Sequence, residues 1–422
     1  MAYDVKVGAS RLGGHVTIPP SKSMLHRALI AAALAKGTTI IDNFAKSNDI
    51  QATLNGIKAL GASYKIKNQK ITVIGSPRLS QPKDPIDVYQ SASTLRFLIP
   101  VFGLMKGKTI FNLDAPLAAR PQTTYTELFD DKMTFDHHHI TVENALTAST
   151  YHIKDPVSSQ FITGLLFALP LKENNSTIIV KHIPSKAYVD LTIVILKQFG
   201  ITIEPKKDGY FIPGNQTYKA TSLTIDGDYS QAAFFLCAGL FHRNVSVSPL
   251  KQNTNQADEA IVHIIRQLGG RILRRDQSIH TTKSSLTSLK LDIDNTPDLA
   301  PILALSLSFG NKKSLLTNAN RLIYKESNRL ETTANILNAI GCRITLKKDT
   351  LVIKPIKNLF GDRVIDSHND HRIAMMLAIA GTIALRPITI KNAQVVDKSY
   401  PNFFKDLRQL GASIVIMKRR SS

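Results

Sequence analysis

An apolar residue followed by Gly and a strand-like tail recurs at five places: Leu60-Gly61, Phe199-Gly200, Leu268-Gly269, Ile340-Gly341 and Leu410-Gly411. Gly200, Gly269, Gly341 and Gly411 stand 69, 72 and 70 residues apart, and Gly61 precedes Gly200 by 139, two such periods. A fixed period means one supersecondary unit used repeatedly, here six times, with a degenerate unit near Asp131. Each Gly follows an amphipathic stretch such as 260–268 and serves as a helix stop. The tails, such as Ser413-Ile414-Val415-Ile416, read as strands. Earlier in each unit comes a more apolar helix behind a short polar opening: Ser21-Lys22-Ser23, Ser91-Ala92-Ser93, Ser158-Ser159-Gln160, Tyr229-Ser230-Gln231, Pro297-Asp298 and Asp370-His371-Arg372. A β-prone run such as Ser176-Thr177-Ile178-Ile179-Val180 follows it. The unit therefore reads strand, helix, strand, helix, strands.

At 422 residues the chain is too long for one efficient core, so two or more domains are expected. Its net charge of +21 attracts anions, a class that includes nucleic acid, anionic lipid and small phosphorylated metabolites. The basic residues form no long run, Trp is absent, and no zinc knuckle or RNP-like motif occurs, so nucleic acid is not expected. Cys237 and Cys342 sit alone in apolar stretches, which reads as reduced, buried thiols of a cytoplasmic protein. The longest apolar run, 373–385, is too short to span a bilayer, and the start Met1-Ala2-Tyr3-Asp4 has no signal-peptide core, so neither membrane nor targeting segment is expected. His137-His138-His139 reads as a polar strand edge, because neighbours on a strand point to opposite faces and no Cys or carboxylate spacing accompanies them.

Ser and Asp at helix openings are ordinary N-caps. Six such openings carrying Lys22, Arg27, His371 and Arg372 read better as helix ends turned toward an anion. In Pro19-Pro20-Ser21-Lys22-Ser23-Met24-Leu25-His26-Arg27-Ala28, Ser23 and Arg27 are one helical turn apart, with Lys22 at the tip. Residues 30–34 are apolar on every side, so this helix is buried and its charges must line something. Farther along, Lys325, Glu326 and Arg329 are spaced to share one helix face.

The 19–28 segment resembles the lysine-serine helix start of the EPSP synthase (3-phosphoshikimate 1-carboxyvinyltransferase) family. Further motifs resemble that family in its own order: Ser93-Thr94-Leu95-Arg96-Phe97-Leu98, Ala119-Arg120-Pro121, Val157-Ser158-Ser159-Gln160-Phe161, Ser185-Lys186-Ala187-Tyr188, Pro297-Asp298, Lys325-Glu326-Ser327-Asn328-Arg329-Leu330, Asn369-Asp370-His371-Arg372 and Lys398-Ser399-Tyr400-Pro401. The resemblance spans 12 to about 412. It implies an α/β (α+β) fold of two similar domains, each of three βαβαββ-type repeats forming an inverted α/β barrel, with an interdomain cleft. The implied domains are 21–228, and 1–20 plus 229–422, with a double crossover near 19–21 and 226–230.

The implied reaction transfers the enolpyruvyl group of phosphoenolpyruvate to the 5-hydroxyl of shikimate 3-phosphate and releases phosphate. It needs a base for the hydroxyl, an acid for the enol methylene, and dense positive charge to hold phosphates and carboxylates together. By resemblance Lys22, Asp298 and Glu326 are catalytic. Lys22, Ser23, Arg27, Ser158, Ser159, Gln160, Ser185, Tyr188, Asp298 and Lys325 bind shikimate 3-phosphate. Lys22, Ala92, Arg120, Gln160, Arg329, Arg372 and Lys398 bind phosphoenolpyruvate. No metal or cofactor is implied. The partners are the two small substrates, and a monomer is expected.

The pattern is broken in places. Ala92 stands where the family usually has Gly, a change associated there with glyphosate tolerance. Ile323 replaces an Arg, Asn328 an Asp, Gln90 an Asn or Glu, and Asn48 an Asp; loss of a carboxylate beside Arg329 is expected to loosen it. Two alternatives compete. The sister transferase acting on UDP-N-acetylglucosamine carries a reactive Cys in a first-half loop, where this chain has none. A nonenzymatic anion- or RNA-binding protein would release no phosphate.

Overall fold

The computed structural model describes residues 2–76 and 78–419. The chain divides into two compact units, Pro20–Ile225 and Met1–Pro19 with Asp226–Ser422, here called the continuous and the split unit. Each has its own core of buried side chains.

The described residues contain six four-stranded sheets, three in each unit, all wired alike. In one, Ile86–Tyr89 runs parallel to Lys108–Leu113, which pairs antiparallel with His139–Glu143, and that strand with Met133–Asp136. An inner helix, Ala92–Phe102, joins the parallel pair, and an outer helix, Thr123–Phe129, precedes the hairpin. That is the βαβαββ unit read from the punctuation. The chain's two passages between units show up as borrowed strands. Ser222–Thr224, from the end of the continuous unit, supplies the parallel edge beside Gly37–Asp42. Gly14–Thr17 does the same beside Val245–Ser248 in the split unit, where Tyr3–Gly8 also completes the sheet of Ser413–Lys418.

The five punctuating glycines have φ between 78° and 110°, a backbone region that side chains rarely adopt, and each ends an outer helix before its hairpin. The degenerate unit breaks the rule with Asp130 at φ 45° after Thr123–Phe129. The inner helices are buried nearly all round, as in Lys22–Leu34 and His371–Ile383, so polar groups at their first turns are the ones left to face anything but core.

Two expectations need correction. His137 and His138 form the hairpin turn after Met133–Asp136, and only His139 is on a strand. Lys325 and Glu326 are not helical: Asn328 caps the helix Arg329–Ala339 by accepting from the Glu331 amide at 3.3 Å, so the helix cannot extend back to them.

Candidate functional site

In the continuous unit Lys22, Ser23, Arg27, Ala92, Ser158, Ser159 and Gln160 lie at or near the openings of its three inner helices, Ser185 and Tyr188 at the start of an outer one, and Arg120 in a turn. Ser21 caps Lys22–Leu34, and Lys22 at the tip pairs with Asp49 on the neighbouring outer helix at 2.5 Å. Arg27 is buried one turn deeper. It donates from Nε to Thr192 Oγ1 (2.8 Å), and from its terminal nitrogens to the carbonyls of Ser23 (2.8 Å) and Tyr188 (2.9 Å), with its central carbon over the Phe97 ring, 5.0 Å from the ring centre. Burial lowers its pKa to about 10, which still leaves it fully charged at neutral pH.

Arg96, from the helix that begins at Ala92, is 1% exposed. It donates to Gln160 Oε1 at 2.9 Å, to the Pro121 carbonyl at 2.8 Å and to Gln122 Oε1 at 3.4 Å, and lies 4.5 Å from the Phe161 ring centre. With Oε1 so engaged, Gln160 donates from Nε2 to Ser93 at 2.9 Å, which fixes which way its amide faces. Ser158 Oγ accepts from the backbone N–H of Gln160, and Ser159 precedes the helix Gln160–Ala168. Ser185 is held at φ 45° before the helix Lys186–Gln198, which carries Tyr188 in its first turn. Ala92 is buried, while Arg120 lies half-buried in the turn before Pro121.

The split unit holds the other six candidates, five of them in contact. Asp298, in the turn Pro297–Leu299, receives Arg329 at 2.8 Å and Lys325 at 3.4 Å on one oxygen and Arg372 at 3.3 Å on the other. Arg329, wholly buried, also meets Glu326 at 2.5 Å and the buried Asp370, by Nε at 2.8 Å and a terminal nitrogen at 3.1 Å. Asp370 caps the helix His371–Ile383 through the Arg372 amide. Arg372 donates to the Ser230 carbonyl at 2.8 Å, and its buried Nε donates to no described group. Lys398, the sixth, is buried at the end of the turn Ala393–Lys398.

Burial alone would raise the Asp298 pKa, but Lys325, Arg372 and Arg329 together hold it well below the usual carboxylate range. Asp370 removes the concern over Asn328: Arg329 takes its orienting carboxylate from the next inner helix and not from its sequence neighbour. Likewise the carboxylate on Lys22 is Asp49, immediately after Asn48. Ile323 is exposed, and Gln90 donates to Asp114 at 3.2 Å. Burial pushes the thiols of Cys237 and Cys342 up to about 12 and about 11, the opposite of a poised nucleophile. Arg96, Asp49 and Asp370 were not assigned roles from sequence. For Arg96 and Asp370 the available signal was an ionisable residue beside or within an otherwise apolar helix start.

Among the described residues no group of His, Cys, Asp and Glu could hold a metal ion, and no helix is long and apolar enough to cross a membrane. The family model described as EPSP synthase (3-phosphoshikimate 1-carboxyvinyltransferase) matches residues 7–407. The 3-phosphoshikimate 1-carboxyvinyltransferase of Clostridium novyi (strain NT) is 39% identical, covering 97% of this chain and 98% of that one. The protein of the same name from Clostridioides difficile (strain 630) is 38% identical with the same coverage. Among solved structures, an EPSP synthase from Acinetobacter baumannii superposes with a TM-score of 0.83 at 24% identity, covering 99% of this chain and all of that one. The enolpyruvyl transferase NikO from Streptomyces tendae gives 0.77 at 16% identity over both whole chains.

Proposed function

Since the chain belongs to the EPSP synthase (3-phosphoshikimate 1-carboxyvinyltransferase) family, we propose that its clustered charges carry out enolpyruvyl transfer from phosphoenolpyruvate to the 5-hydroxyl of shikimate 3-phosphate. The observation that carries this reading is the Asp298 cluster, a carboxylate ringed by three cations that also suit phosphate and carboxylate ligands.

The 5-hydroxyl oxygen attacks C2 of phosphoenolpyruvate while the C3 methylene takes a proton and becomes a methyl group. The resulting tetrahedral intermediate then breaks its C–O bond to phosphate, and the methyl group returns a proton. In the resting site Asp298 is a weak base, because three cations stabilise its charge. Anionic substrate at Lys325, Arg329 and Arg372 shares that charge, raises the basicity of Asp298 and readies it, with Lys22, to take the hydroxyl proton. Glu326 serves the methylene, and Arg329 at 2.5 Å keeps it oriented.

In this reading Arg372, Arg329, Lys398, Arg120, Lys22 and Gln160 hold phosphoenolpyruvate, with Ala92 against it. Arg27 takes the shikimate carboxylate, and Ser158, Ser159, Ser185 and Lys325 its phosphate, with Ser23 and Tyr188 beside them. By its membership of the family, the chain uses both sets of residues on the same substrates. In this reading the domains are 21–228, and 1–20 with 229–422, bounds that differ from the compact units at Pro20 and at residues 226–228, and the protein is a cytoplasmic monomer. The test is phosphate release by the purified protein. It is expected only with both substrates present, and it should be nearly abolished in Lys22→Ala and Glu326→Ala. Release from phosphoenolpyruvate alone, or undiminished turnover in those variants, would sink the assignment.

A further inference from the structure

Asp258 is 1% exposed and lies in the turn Ala257–Glu259 that leads into the helix Ala260–Gln267. One carboxyl oxygen accepts the Ser230 hydroxyl; the other is buried and accepts no hydrogen bond from the described residues. Ser230 in turn offers its carbonyl to Arg372 at 2.8 Å. A carboxyl with no role in the chemistry above is thus joined, through one residue, to a guanidinium of the site.

The groups facing Asp258 come from three elements. Asp298 stands in the turn Pro297–Leu299, Asp228 and Ser230 at the start of the helix Tyr229–Gly239, and Arg372 at the start of His371–Ile383. On its own turn, Glu259 faces elsewhere, accepting from the amides of Asn253 and Thr254 at 3.0 Å and lying 3.7 Å from Arg274. A buried carboxylate holds its charge only with several donors around it. Burial and two repelling carboxylates stand against one hydroxyl and Arg372, which favours the neutral acid beyond what an ordinary carboxyl group shows.

We propose that Asp258 is a positioning residue that sets the grip of Arg372 on the anionic substrate, leaving the guanidinium's charge to the ligand when it is neutral and competing for it when ionised. The inference rests on the enolpyruvyl-transfer reading. Burial first, then Asp298, raise the Asp258 pKa to about 7, while Ser230 and Arg372 pull it the other way. An acid is protonated below its pKa, so the grip is firm below about 7 and weakens above it.

The test measures KM for phosphoenolpyruvate between about pH 6 and 8.5, in wild-type enzyme and in Asp258→Asn, which cannot ionise. Ionisation of the substrate is common to both and cancels in their ratio. The ratio of wild-type to variant KM is expected near one at the acid end, rising about five- to tenfold at the alkaline end, the effect of one nearby charge. Ser230→Ala removes the hydroxyl that favours the ionised form and leaves the backbone carbonyl on Arg372, so its rise in KM moves to higher pH. That variant decides the matter if Asp258→Asn fails to fold. A ratio flat within about twofold overturns the proposal, as does a Ser230→Ala profile that stays in place or moves to lower pH. If the wild type releases no phosphate with both substrates present, the enolpyruvyl-transfer reading falls and this inference with it; a flat ratio in an active enzyme sinks the inference alone.

Discussion

Asp370→Asn tests how Arg329 is held. Asp370 and Arg329 are both wholly buried. One Asp370 oxygen accepts from Arg329 Nε at 2.8 Å and from the Ser327 hydroxyl at 3.1 Å; the other accepts from a terminal Arg329 nitrogen at 3.1 Å and from the Arg372 amide at 2.9 Å. Asn keeps the oxygen that caps the helix, so cap loss does not confuse the result. Its amide nitrogen, however, sets a donor against the Arg329 donor. Removing one partner of a buried ion pair costs about 3–5 kcal/mol. Arg329 keeps Asp298 at 2.8 Å and Glu326 at 2.5 Å, which places the loss at the low end, about 3 kcal/mol. Urea unfolding followed by circular dichroism measures it, in the transition that belongs to the split unit. Asp370→Ser, a capping residue without the opposing amide, should lose nearly as much. The kcat/KM for phosphate release should fall at least about tenfold, as for other residues that orient a binding group. A loss under about 1 kcal/mol in both variants would refute the reasoning, since Asp298 and Glu326 would then suffice to hold the guanidinium.

Arg96→Met strips the donor from Gln160 Oε1 and the Pro121 carbonyl, and kcat/KM for phosphoenolpyruvate should fall about 10- to 100-fold. Arg96→Lys should not restore it, because one ammonium cannot span both acceptors; full activity in Arg96→Lys would count against the role. Ala92→Gly opens the start of the helix Ala92–Phe102, and the family resemblance then predicts a lower inhibition constant for glyphosate, with an unchanged constant as the contrary result. The stability that Asp258 contributes as a neutral acid is whole below its ordinary carboxyl value of 3.8 and is lost as the pH rises through about 7. Asp258→Asn should therefore gain stability over wild type at pH 8 but not at pH 3.5, by about 4 kcal/mol and read as a higher Tm at pH 8 only; equal differences at both pH values would contradict this.

The repeat was legible because its signals are local. A helix stop at Gly341 or Gly411 needs only a residue that tolerates positive φ, and an apolar inner helix such as 371–383 shows its burial in its own composition. The borrowed strands Gly14–Thr17 and Ser222–Thr224 were not legible, since a three- or four-residue strand carries too little pattern to name a partner more than a hundred residues away. Most candidate site residues could be named from motifs, but their partners could not. Arg329 looked exposed to the change at Asn328 until the fold brought Asp370 to it across 41 residues, and Lys22 found Asp49 in the same way across 27. Asp258 reads in sequence as one acidic residue in a polar turn. By itself the sequence determined the repeating unit, the helix starts and the kinds of charge they carry, because propensity and capping act over a few residues. Tertiary structure alone decided which carboxylate meets which cation and how deeply each is buried, because desolvation and Coulomb energy depend on distances in space that no local pattern encodes.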